Sequence, residues 1–483
     1  VSVKWSGKKF DDVEVDLSQP GLVFKTQMYT LTGVAPDRQK IMVKGGMLKD
    51  DADMSKLGLK EMMGTAGELP KAPETQTVFV EDLSDAQIAQ ALKLPAGLTN
   101  LGNTCYMNAT LQCLRAIPDL ANALQKMPGD LTNDNRSNLI VAMRTLFSSL
   151  DASGDAVPPL VFLQVLRSVF PQFAEADRNG FMQQDAEECW GQIIQTVGEK
   201  VPGLTREGGL DTGKHFVEQF MTGEFITEIK CDETTEEPPV SSIEAFNKLR
   251  VNIGSGVSTY MMTDIGASMT EKIEKNSPAL GRSAVYTKKL KVSRLPQYLT
   301  INFVRFQWKA TERVKAKILK KVKFPFDLDM SEYCTLELME KLRPAKLRLK
   351  EVEDKKAAEK KGKKAAEAEP PTDKMDVDAP AGSSSGVKDQ LTIMKEIGVD
   401  PSLYGDLGAN VSGQYDLVAV LTHVGRAADS GHYIGWVKDA KNQWWKFDDD
   451  KVSQIPEEEI TKLEGGGDWH TAYIALYRAK QLE

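Results

Sequence analysis

The stretch GLTNLGNTCYMNATLQCL, residues 97–114, contains the residue on which most of this chain's interpretation depends. Cys105 follows the helix-capping residue types of Asn103 and Thr104, and the apolar residues after it recur at the spacing of one helical face. Its thiol should therefore lie at a helix N-terminus, where unpaired N–H groups and the helix dipole favour an anion. This pattern favours a nucleophilic cysteine, although a buried cysteine that acts only as a small hydrophobe has the same spacing.

A second segment supplies the partners that a nucleophilic thiol needs. In residues 416–452, DLVAVLTHVGRAADSGHYIGWVKDAKNQWWKFDDDKV, an apolar strand pattern ends in a loop and His432 begins the next strand. A turn near residues 439–443 would form a hairpin and bring His432 close to an aspartate on the following strand. Three successive aspartates stand there, namely Asp448, Asp449 and Asp450. The residues alone leave open which carboxylate faces the imidazole.

Composition excludes several classes of protein. A length of 483 residues suggests two or three domains, and a net charge of −8 argues against nucleic acid as a main partner. No apolar run reaches the roughly 18 residues that span a bilayer, and the first residues lack a signal-peptide pattern, so we expect no membrane association. Five widely spaced cysteines fit a reducing compartment. We therefore expect a cytoplasmic protein, with the nucleus as a second compartment.

The chain divides by pattern into a small module, a linker and a large domain. Residues 1–64 predict a ββαβ module with a helix at Val23–Leu31 and a strand at Lys40–Val43. The proline-containing residues 65–95 predict a linker. The remaining residues, 96–480, are helical first and rich in strands later, which predicts an α+β fold. The predicted elements are helices at 137–150, 157–170 and 184–199, and strands at 299–306, 321–326, 415–423, 433–437 and 472–477.

A charged insertion interrupts the large domain at about 341–390. Its first part, Lys341–Lys364, has eleven Lys or Arg against four Asp or Glu, and the part after it is rich in Ala, Glu, Pro, Asp, Gly and Ser. Such a composition buries too little apolar surface to offset its ordering entropy. We expect a partly helical and then disordered surface segment, whose basic residues are either simply solvated or bind an anionic partner.

Five ordered motifs resemble the ubiquitin-specific proteases, which are papain-like cysteine deubiquitinases. The motifs are GLTNLGNTCYMN, QQDAEE at 183–188, LPQYLTINFVRF at 295–306, KVKFPFDLDM at 321–330, and GHYIGWV followed by FDDD. Residues 1–64 resemble a ubiquitin-like β-grasp domain, most clearly in TGVAPDRQKIMVKGG at 32–46. This pairing is similar to that of proteasome-associated members of the family. The resemblance implies a palm-thumb-fingers catalytic domain preceded by the ubiquitin-like domain.

The resemblance also implies roles for individual residues. Cys105 would attack the isopeptide carbonyl at the ubiquitin C-terminus, His432 would be its general base, and Asp448 would hold the imidazole. Asn100 would donate its amide to the oxyanion. This mechanism needs no cofactor. Many family members bind zinc through two CxxC pairs, whereas this chain has no CxxC and Cys231 stands alone, so we expect no metal site.

Substrate binding is implied at two places. Family position indicates Gln184 and Asp185 as contacts for the ubiquitin tail, although the same run can simply cap a helix. Gly431 would permit a close backbone approach to substrate, and Tyr433 follows the general base. Two loops, residues 306–320 and 426–430, correspond to family elements that cover the tail channel until a partner moves them.

The resemblance implies a proteasome-associated deubiquitinase that releases ubiquitin from proteasome-bound conjugates. Its partners would be ubiquitin, ubiquitin conjugates and the 26S proteasome, which it would bind through the ubiquitin-like domain, and it would be a monomer when free. The alternatives are a catalytically silent ubiquitin-binding scaffold and a proteasome adaptor. The presence of thiol, imidazole and amide together favours the enzyme.

Overall fold

The computed structural model describes most of the chain. The described residues are 1–6, 8–11, 13–43, 46–57, 63–66, 94–178, 180–253, 260–309, 314–366, 389–425, 430–467 and 469–482. The chain divides into two units, Val1–Leu83 and Ser84–Glu483. Most of the predicted linker, the centre of each predicted covering loop and residues 367–388 of the insertion lie outside the described residues.

The described part of the first unit has five short strands and one α-helix. They are β1 (Val3–Trp5), β2 (Lys8–Phe10), α1 (Gly21–Thr32), β3 (Lys40–Val43), β4 (Gly46–Met47) and β5 (Met63–Ala66). The sheet order is β2-β1-β5-β3-β4; β1 and β5 run parallel and the other pairs antiparallel. Along β3, Ile41 and Val43 are buried while Lys40 and Met42 are exposed, as the two-residue period of a strand requires. This is the β-grasp arrangement that the sequence predicted.

The second unit begins with a helical half. Its elements are α2 (Cys105–Arg115), α3 (Pro118–Lys126), α4 (Asn135–Ala152), α5 (Leu160–Val169), β6 (Ala176–Asp177), β7 (Gly180–Phe181), α6 (Ala186–Lys200), β8 (Pro202–Leu204), β9 (Leu210–His215) and α7 (Phe216–Phe220). Each of the three helices predicted in this half is present, with ends shifted by one to three residues. Their apolar faces pack into one core with Tyr106, Phe147 and Trp190 among its members.

The rest of the second unit is mainly sheet. In chain order it has β10 (Gly223–Cys231), β11 (Val240–Phe246), β12 (Leu249–Asn252), α8 (Met261–Ser268), β13 (Thr270–Ser277), β14 (Arg282–Arg294), β15 (Tyr298–Val304), β16 (Phe306–Lys309), β17 (Val314–Lys317), β18 (Asp327–Asp329), α9 (Leu336–Ala366), α10 (Gln390–Glu396), α11 (Pro401–Gly405), β19 (Gln414–Val424), β20 (His432–Lys438), β21 (Trp444–Asp448), β22 (Lys451–Ile455), α12 (Glu457–Thr461) and β23 (Thr471–Ala479). An eight-stranded sheet has the order β12-β15-β23-β19-β20-β21-β22 with β18 paired to β19, and a separate sheet has the order β11-β10-β14-β13.

Helix α2 lies directly on strand β20, which brings the two halves of the unit together at the site. All residues of α2 from Cys105 to Leu114 are buried. A glycine at Gly435 permits this close contact, because a Cβ there would lie 3.2 Å from the carbonyl oxygen of Ala109 and 3.5 Å from Sγ of Cys113. The helix that begins at Cys105 is therefore fixed against the strand that begins at His432.

Both described ends of the charged insertion are anchored to the domain. Helix α9 begins at Leu336, before the predicted boundary, and its first turns bury Leu338 and Leu342 in the core. An anchor cluster then joins α9, α10 and the end of the chain; its buried members are Ala345, Leu349, Ile393, Val399, Val411 and Leu482. The prediction that the insertion begins at about 341 as a surface segment is therefore wrong for its first turns, because their apolar residues are buried.

The predicted strand at 321–326 is absent from the structure. Val322 and Phe324 are buried as an alternating pattern suggests, but the backbone of this segment bonds to three different places. Val322 donates to Glu464, Lys323 accepts from Met261, and Phe326 accepts from Leu417. No single neighbouring strand runs beside it, so no ladder forms. Nowhere in the described residues is a helix both long and apolar enough to cross a membrane.

Candidate active site

The thiol of Cys105 lies where the sequence predicted, at the first residue of helix α2. Thr104 is the N-cap, but its side chain does not cap the helix; its Oγ1 instead accepts a hydrogen bond from the backbone N–H of Leu101. The first N–H groups of α2 are thus not occupied by a capping side chain. Cys105 is buried, with 3% of its surface exposed, and Gln183 Nε2 lies 4.0 Å from its sulfur.

His432 and Asp448 meet across the predicted hairpin. The strands β20 and β21 pair antiparallel, and the turn between them is closed by the Asp439 N–H, which donates to the Gln443 carbonyl. His432 Nε2 lies 2.7 Å from Asp448 Oδ1. Because Nε2 faces the carboxylate, Nδ1 is the ring nitrogen that remains for the sulfur.

The environment of His432 stabilises its charged form. A hydrogen bond with Cys105 raises the pKa of His432, burial lowers it, and the hydrogen bond with Asp448 raises it further, which leaves the pKa at about 9. Burial raises the pKa of Asp448, but hydrogen bonds from Lys446 and His432 outweigh burial and hold that pKa below its ordinary value. Near pH 7 the site therefore has an imidazolium beside an ionised carboxylate.

Two of the three aspartates that the sequence could not separate, Asp448 and Asp449, have different partners. Asp449 does not face the imidazole; it accepts from Asn100 Nδ2 through Oδ2 and from Asn108 Nδ2 through Oδ1, each at 2.8 Å. Its backbone has a φ of 54°, and its carbonyl accepts from the N–H of Leu98. Sequence reasoning considered Asp449 only as an alternative partner of His432 and missed this role.

The side-chain amide of Asn100, the predicted oxyanion donor, is held by hydrogen bonds at both its oxygen and its nitrogen. Its Oδ1 accepts from the N–H of Gly102 at 2.9 Å, which fixes the amide plane. One hydrogen of its Nδ2 is directed to Asp449, and an amide nitrogen has a second hydrogen that can be donated. The carboxylate of Asp449 thus fixes the position of the predicted oxyanion donor.

The four predicted substrate contacts lie in different surroundings. Asp185 caps helix α6 by accepting from the N–H of Glu187, and it also accepts from the Tyr473 hydroxyl at 2.8 Å; the capping interpretation therefore applies, and contact with the ubiquitin tail stays a prediction. Gln184 is buried, and its Nε2 has no hydrogen-bond partner in the described structure. Gln183, which the sequence analysis did not select, is the glutamine that approaches the sulfur.

The fold itself requires a glycine at position 431. Its φ is 117°, and a Cβ there would lie 2.1 Å from the Val424 carbonyl oxygen and 2.7 Å from Nε2 of His423. The glycine is therefore needed for the close approach of two chain segments inside the domain.

Tyr433 belongs to an aromatic cluster beside the site. The cluster is defined by Phe306, His423, Tyr433 and Tyr473, whose ring centroids lie 4.7–6.3 Å apart in neighbouring pairs. Burial lowers the pKa of His423 to about 4, with a smaller contribution from Lys317, so its ring is neutral near pH 7. The hydroxyl of Tyr433 is buried without a hydrogen-bond partner in the described structure.

The described residues contain no group of three or more His, Cys, Asp or Glu side chains that could hold a metal ion. Cys231, at the end of β10, is buried in a small cluster with Ala284 and Tyr286.

The nearby Glu237 accepts from the Tyr286 hydroxyl at 2.6 Å and from the Ala279 N–H at 3.0 Å. Carboxylate hydrogen bonds thus hold this end of the four-stranded sheet.

Comparison with known proteins adds to this geometry. The family model described as ubiquitin carboxyl-terminal hydrolase matches residues 96–477, well over half of the chain. This chain belongs to the ubiquitin carboxyl-terminal hydrolase family. A second model, described as the ubiquitin family, matches residues 1–63.

Relatives with both parts match over nearly their whole length. Ubiquitin carboxyl-terminal hydrolase 6 of Arabidopsis thaliana is 43% identical over 99% of this chain and 98% of the relative. Ubiquitin carboxyl-terminal hydrolase 6 of Schizosaccharomyces pombe is 41% identical, with coverages of 100% and 99%. Ubiquitin carboxyl-terminal hydrolase 14 of Caenorhabditis elegans is 35% identical, with coverages of 100% and 94%.

These matches confirm the predicted class of enzyme. The chain is a cysteine-type deubiquitinase with an N-terminal ubiquitin-like domain and a catalytic domain of α+β fold. The predictions of a hydrolase and of its thiol chemistry are confirmed at the level of the family. The roles of individual residues are proposals that rest on the geometry of the site.

Proposed function

We propose that Cys105, His432 and Asp448 hydrolyse the isopeptide bond between the ubiquitin C-terminal carboxyl and a substrate lysine. The observation that carries this proposal is the meeting of helix α2 with the β20–β21 hairpin, which brings the imidazole beside the thiol and gives it a hydrogen bond to a carboxylate on the other side. We assign residues 96–480 to this chemistry, interrupted by the insertion at about 341–390.

The proposed reaction proceeds in two halves. The Cys105 thiolate attacks the carbonyl carbon and forms a C–S bond, while the oxyanion accepts a hydrogen bond from Asn100. When the C–N bond breaks, the lysine nitrogen takes the proton of the His432 imidazolium, which leaves a thioester and a neutral ring. The ring then takes a proton from water as the water attacks the thioester. Cleavage of the C–S bond releases the ubiquitin carboxylic acid, which loses its proton to solvent, and restores the thiolate beside the imidazolium.

The ubiquitin tail would enter beside the aromatic cluster. This placement is supported by the ring of Tyr433, which follows His432 directly, and by Asp185, whose carboxylate reaches Tyr473 of the same cluster. A carboxylate there suits the basic tail of ubiquitin. We propose Gln184, Asp185, Gly431 and Tyr433 as the substrate-binding residues. The resemblance implies that loops 306–320 and 426–430 cover this channel in the free protein.

The experiment that tests the nucleophile is labelling with a ubiquitin whose C-terminus bears a thiol-reactive electrophile. We expect a covalent adduct at Cys105 and no adduct in Cys105→Ala. Cys113→Ala is the matched control, because Cys113 lies on the same helix but is packed in the core against Gly435. That control should label like the unchanged protein. An adduct that persists in Cys105→Ala would show that another residue is the nucleophile.

We further propose that the ubiquitin-like domain, residues 1–64, binds the 26S proteasome and that binding raises the activity on proteasome-bound conjugates. Support comes from an exposed apolar pair on its sheet: Met42 and Met47, which face each other across β3 and β4, are 54% and 57% exposed. Such a protein would act as a monomer in the cytoplasm and also in the nucleus.

Proteasome binding is tested with the double variant Met42→Ser/Met47→Ser. We expect it to lose co-sedimentation with 26S proteasomes and to lose the increase in adduct formation that proteasomes cause. Adduct formation without proteasomes should not change, because the substitutions are surface changes in the first unit. Retained co-sedimentation would place the docking surface elsewhere, and equal labelling of the unchanged protein with and without proteasomes would refute the activation.

A further inference from the structure

We propose that Lys446 is a positioning residue of this active site: its ammonium group holds the second oxygen of Asp448, so that the carboxylate keeps the His432 ring aligned with Cys105. This inference rests on the proposed function of these three residues. It adds a fourth group, which neither the sequence motifs nor the proposed reaction required.

The geometry gives each oxygen of Asp448 one partner. Oδ1 lies 2.7 Å from His432 Nε2, and Oδ2 lies 2.9 Å from Lys446 Nζ. Lys446 and Asp448 are two residues apart on strand β21, so their side chains project from the same face of the sheet. With both oxygens held, the carboxylate cannot rotate about its Cβ–Cγ bond without losing a charge-assisted hydrogen bond.

Lys446 is itself held in place by the neighbouring strand. It stands opposite Trp436 in the β20–β21 register, and its Nζ lies 5.8 Å from the centroid of that indole ring. The indole is buried, and its Nε1 donates to Thr422 Oγ1 at 2.8 Å on the next strand. The lysine side chain is 28% exposed. Its charge therefore acts in a partly desolvated position, unlike that of a freely solvated surface lysine.

The positive charge of Lys446 also offsets the negative charge of Asp448. The groups that act on the pKa of His432 are Cys105 on α2, Asp448 at the end of β21, and, through its charge alone, Asp449 just after it; His470, before β23, lies near the same charges. Lys446 compensates Asp448 and leaves the imidazolium to pair with the thiolate. Without the ammonium charge, an uncompensated Asp448 would favour the imidazolium more strongly, and the ring would lose its proton only at a higher pH.

The proposed test compares Lys446→Met, Lys446→Arg and Lys438→Met in steady-state hydrolysis of an isopeptide-linked ubiquitin. Lys438 is a matched control, because it lies near Glu457 at 3.7 Å and over the buried Trp444 ring at 5.9 Å, but does not contact Asp448. We expect Lys446→Met to lower kcat about 10-fold with little change in KM, since a misaligned catalytic group costs rate and Lys446 does not touch the substrate. The high-pH limb of its pH–rate profile should also move to higher pH.

Lys446→Arg should restore most of kcat, because a guanidinium can donate to the same oxygen, and Lys438→Met should match the unchanged protein. The inference would be overturned by a Lys446→Met enzyme with unchanged kcat and pH profile, or by a loss of rate that arginine does not rescue and Lys438→Met reproduces. Failure of the unchanged protein to form the Cys105 adduct would instead refute the proposed function, so the two failures are distinguishable.

Discussion

Asn100 and Asp449 are joined by a hydrogen bond of 2.8 Å, although 349 positions separate them in the chain. The same carboxylate accepts from Asn108 on helix α2, and its backbone carbonyl accepts from Leu98. The start of the thiol-bearing segment and the end of the strand with Asp448 are therefore held together by one residue. Because this residue holds the proposed oxyanion donor, a change in its carboxylate should reduce the reaction rate.

Asp449→Asn tests this relationship. Asparagine tolerates the positive φ of this position, so the backbone should be kept. Its single side-chain oxygen can accept from only one of the two amides, and its NH₂ group would face the other. We expect kcat to fall by about 10-fold, because one oxyanion donor loses its support. Asp450→Asn, at an exposed neighbouring position, is the control and should keep its rate.

Asp448→Ala should be the most damaging substitution among the three aspartates. Removing this carboxylate leaves His432 Nε2 without its partner, so the ring loses its orientation and the imidazolium loses a stabilising charge. We expect kcat to fall by roughly 100-fold or more, as in other triads that lose the orienting acid. Asp450→Ala should stay close to the unchanged rate. The reverse ranking, measured with the same isopeptide-linked substrate, would transfer the orienting role to Asp450.

The rate should fall as the pH rises through about 9. The pKa of His432 is raised above its ordinary value to about 9, so the proton stays on the ring at lower pH and is lost above that value. The departing lysine nitrogen needs this proton, and kcat on an isopeptide-linked substrate should therefore have its high-pH limb near 9. Asp448→Ala should move this limb to lower pH, because the carboxylate helps to raise the pKa. If Asp448→Ala leaves the high-pH limb of kcat unchanged, that limb reports the titration of a group other than His432.

Gly431→Ala should destabilise the domain. A methyl group there would lie 2.1 Å from the Val424 carbonyl oxygen, at a φ that non-glycine residues rarely adopt. We expect a loss of about 2 kcal/mol or more in the free energy of unfolding, measured by urea denaturation. Gly467→Ala should change it by less than about 0.5 kcal/mol, because nothing lies within 4 Å of the added Cβ. Equal midpoints for the two variants would contradict this steric argument.

Arg305→Met should also lower the free energy of unfolding. The Arg305 guanidinium is fully buried, and burial lowers its pKa to about 9. It donates to four backbone carbonyls, those of Ala472, Ile318, Lys320 and Glu464. Methionine leaves all four without this donor, so we expect a loss of about 3 kcal/mol. The control is Arg282→Met, whose side chain is 60% exposed in an ion pair with Glu233 and which should change little. Similar losses in both variants would refute this explanation.

Local sequence patterns predicted most of the fold, because the spacing of apolar residues within many helices and strands is enough to identify them. The helix predicted at Val23–Leu31 runs from Gly21 to Thr32, and the strand Lys40–Val43 has the predicted bounds. The segment 321–326 has the same alternation as a strand, but its backbone partners come from three distant places, which a local pattern cannot contain. Burial of the first turns of α9 also depends on what packs against them.

The candidate site was predicted where short-range features determine it. A helix beginning at Cys105 and a hairpin between His432 and Asp448 follow from neighbouring residues. The pairing of Asp449 with Asn100 and Asn108 could not be predicted, because it depends on how two distant segments meet. The two-residue spacing between Lys446 and Asp448 predicts that their side chains lie on the same face of a strand. That spacing is common in strands, so by itself it indicates no role.

The anchor cluster holds both described ends of the charged insertion on the domain. Leu349 of α9 and Ile393 of α10 pack in the same cluster, and Gln390 Oε1 accepts from the N–H of Leu482. The entropy of closing a loop between two fixed ends grows only slowly with its length. We therefore expect a fluorescent reporter or an affinity tag inserted between these two anchored ends to leave the described catalytic domain intact and to follow the enzyme in cells.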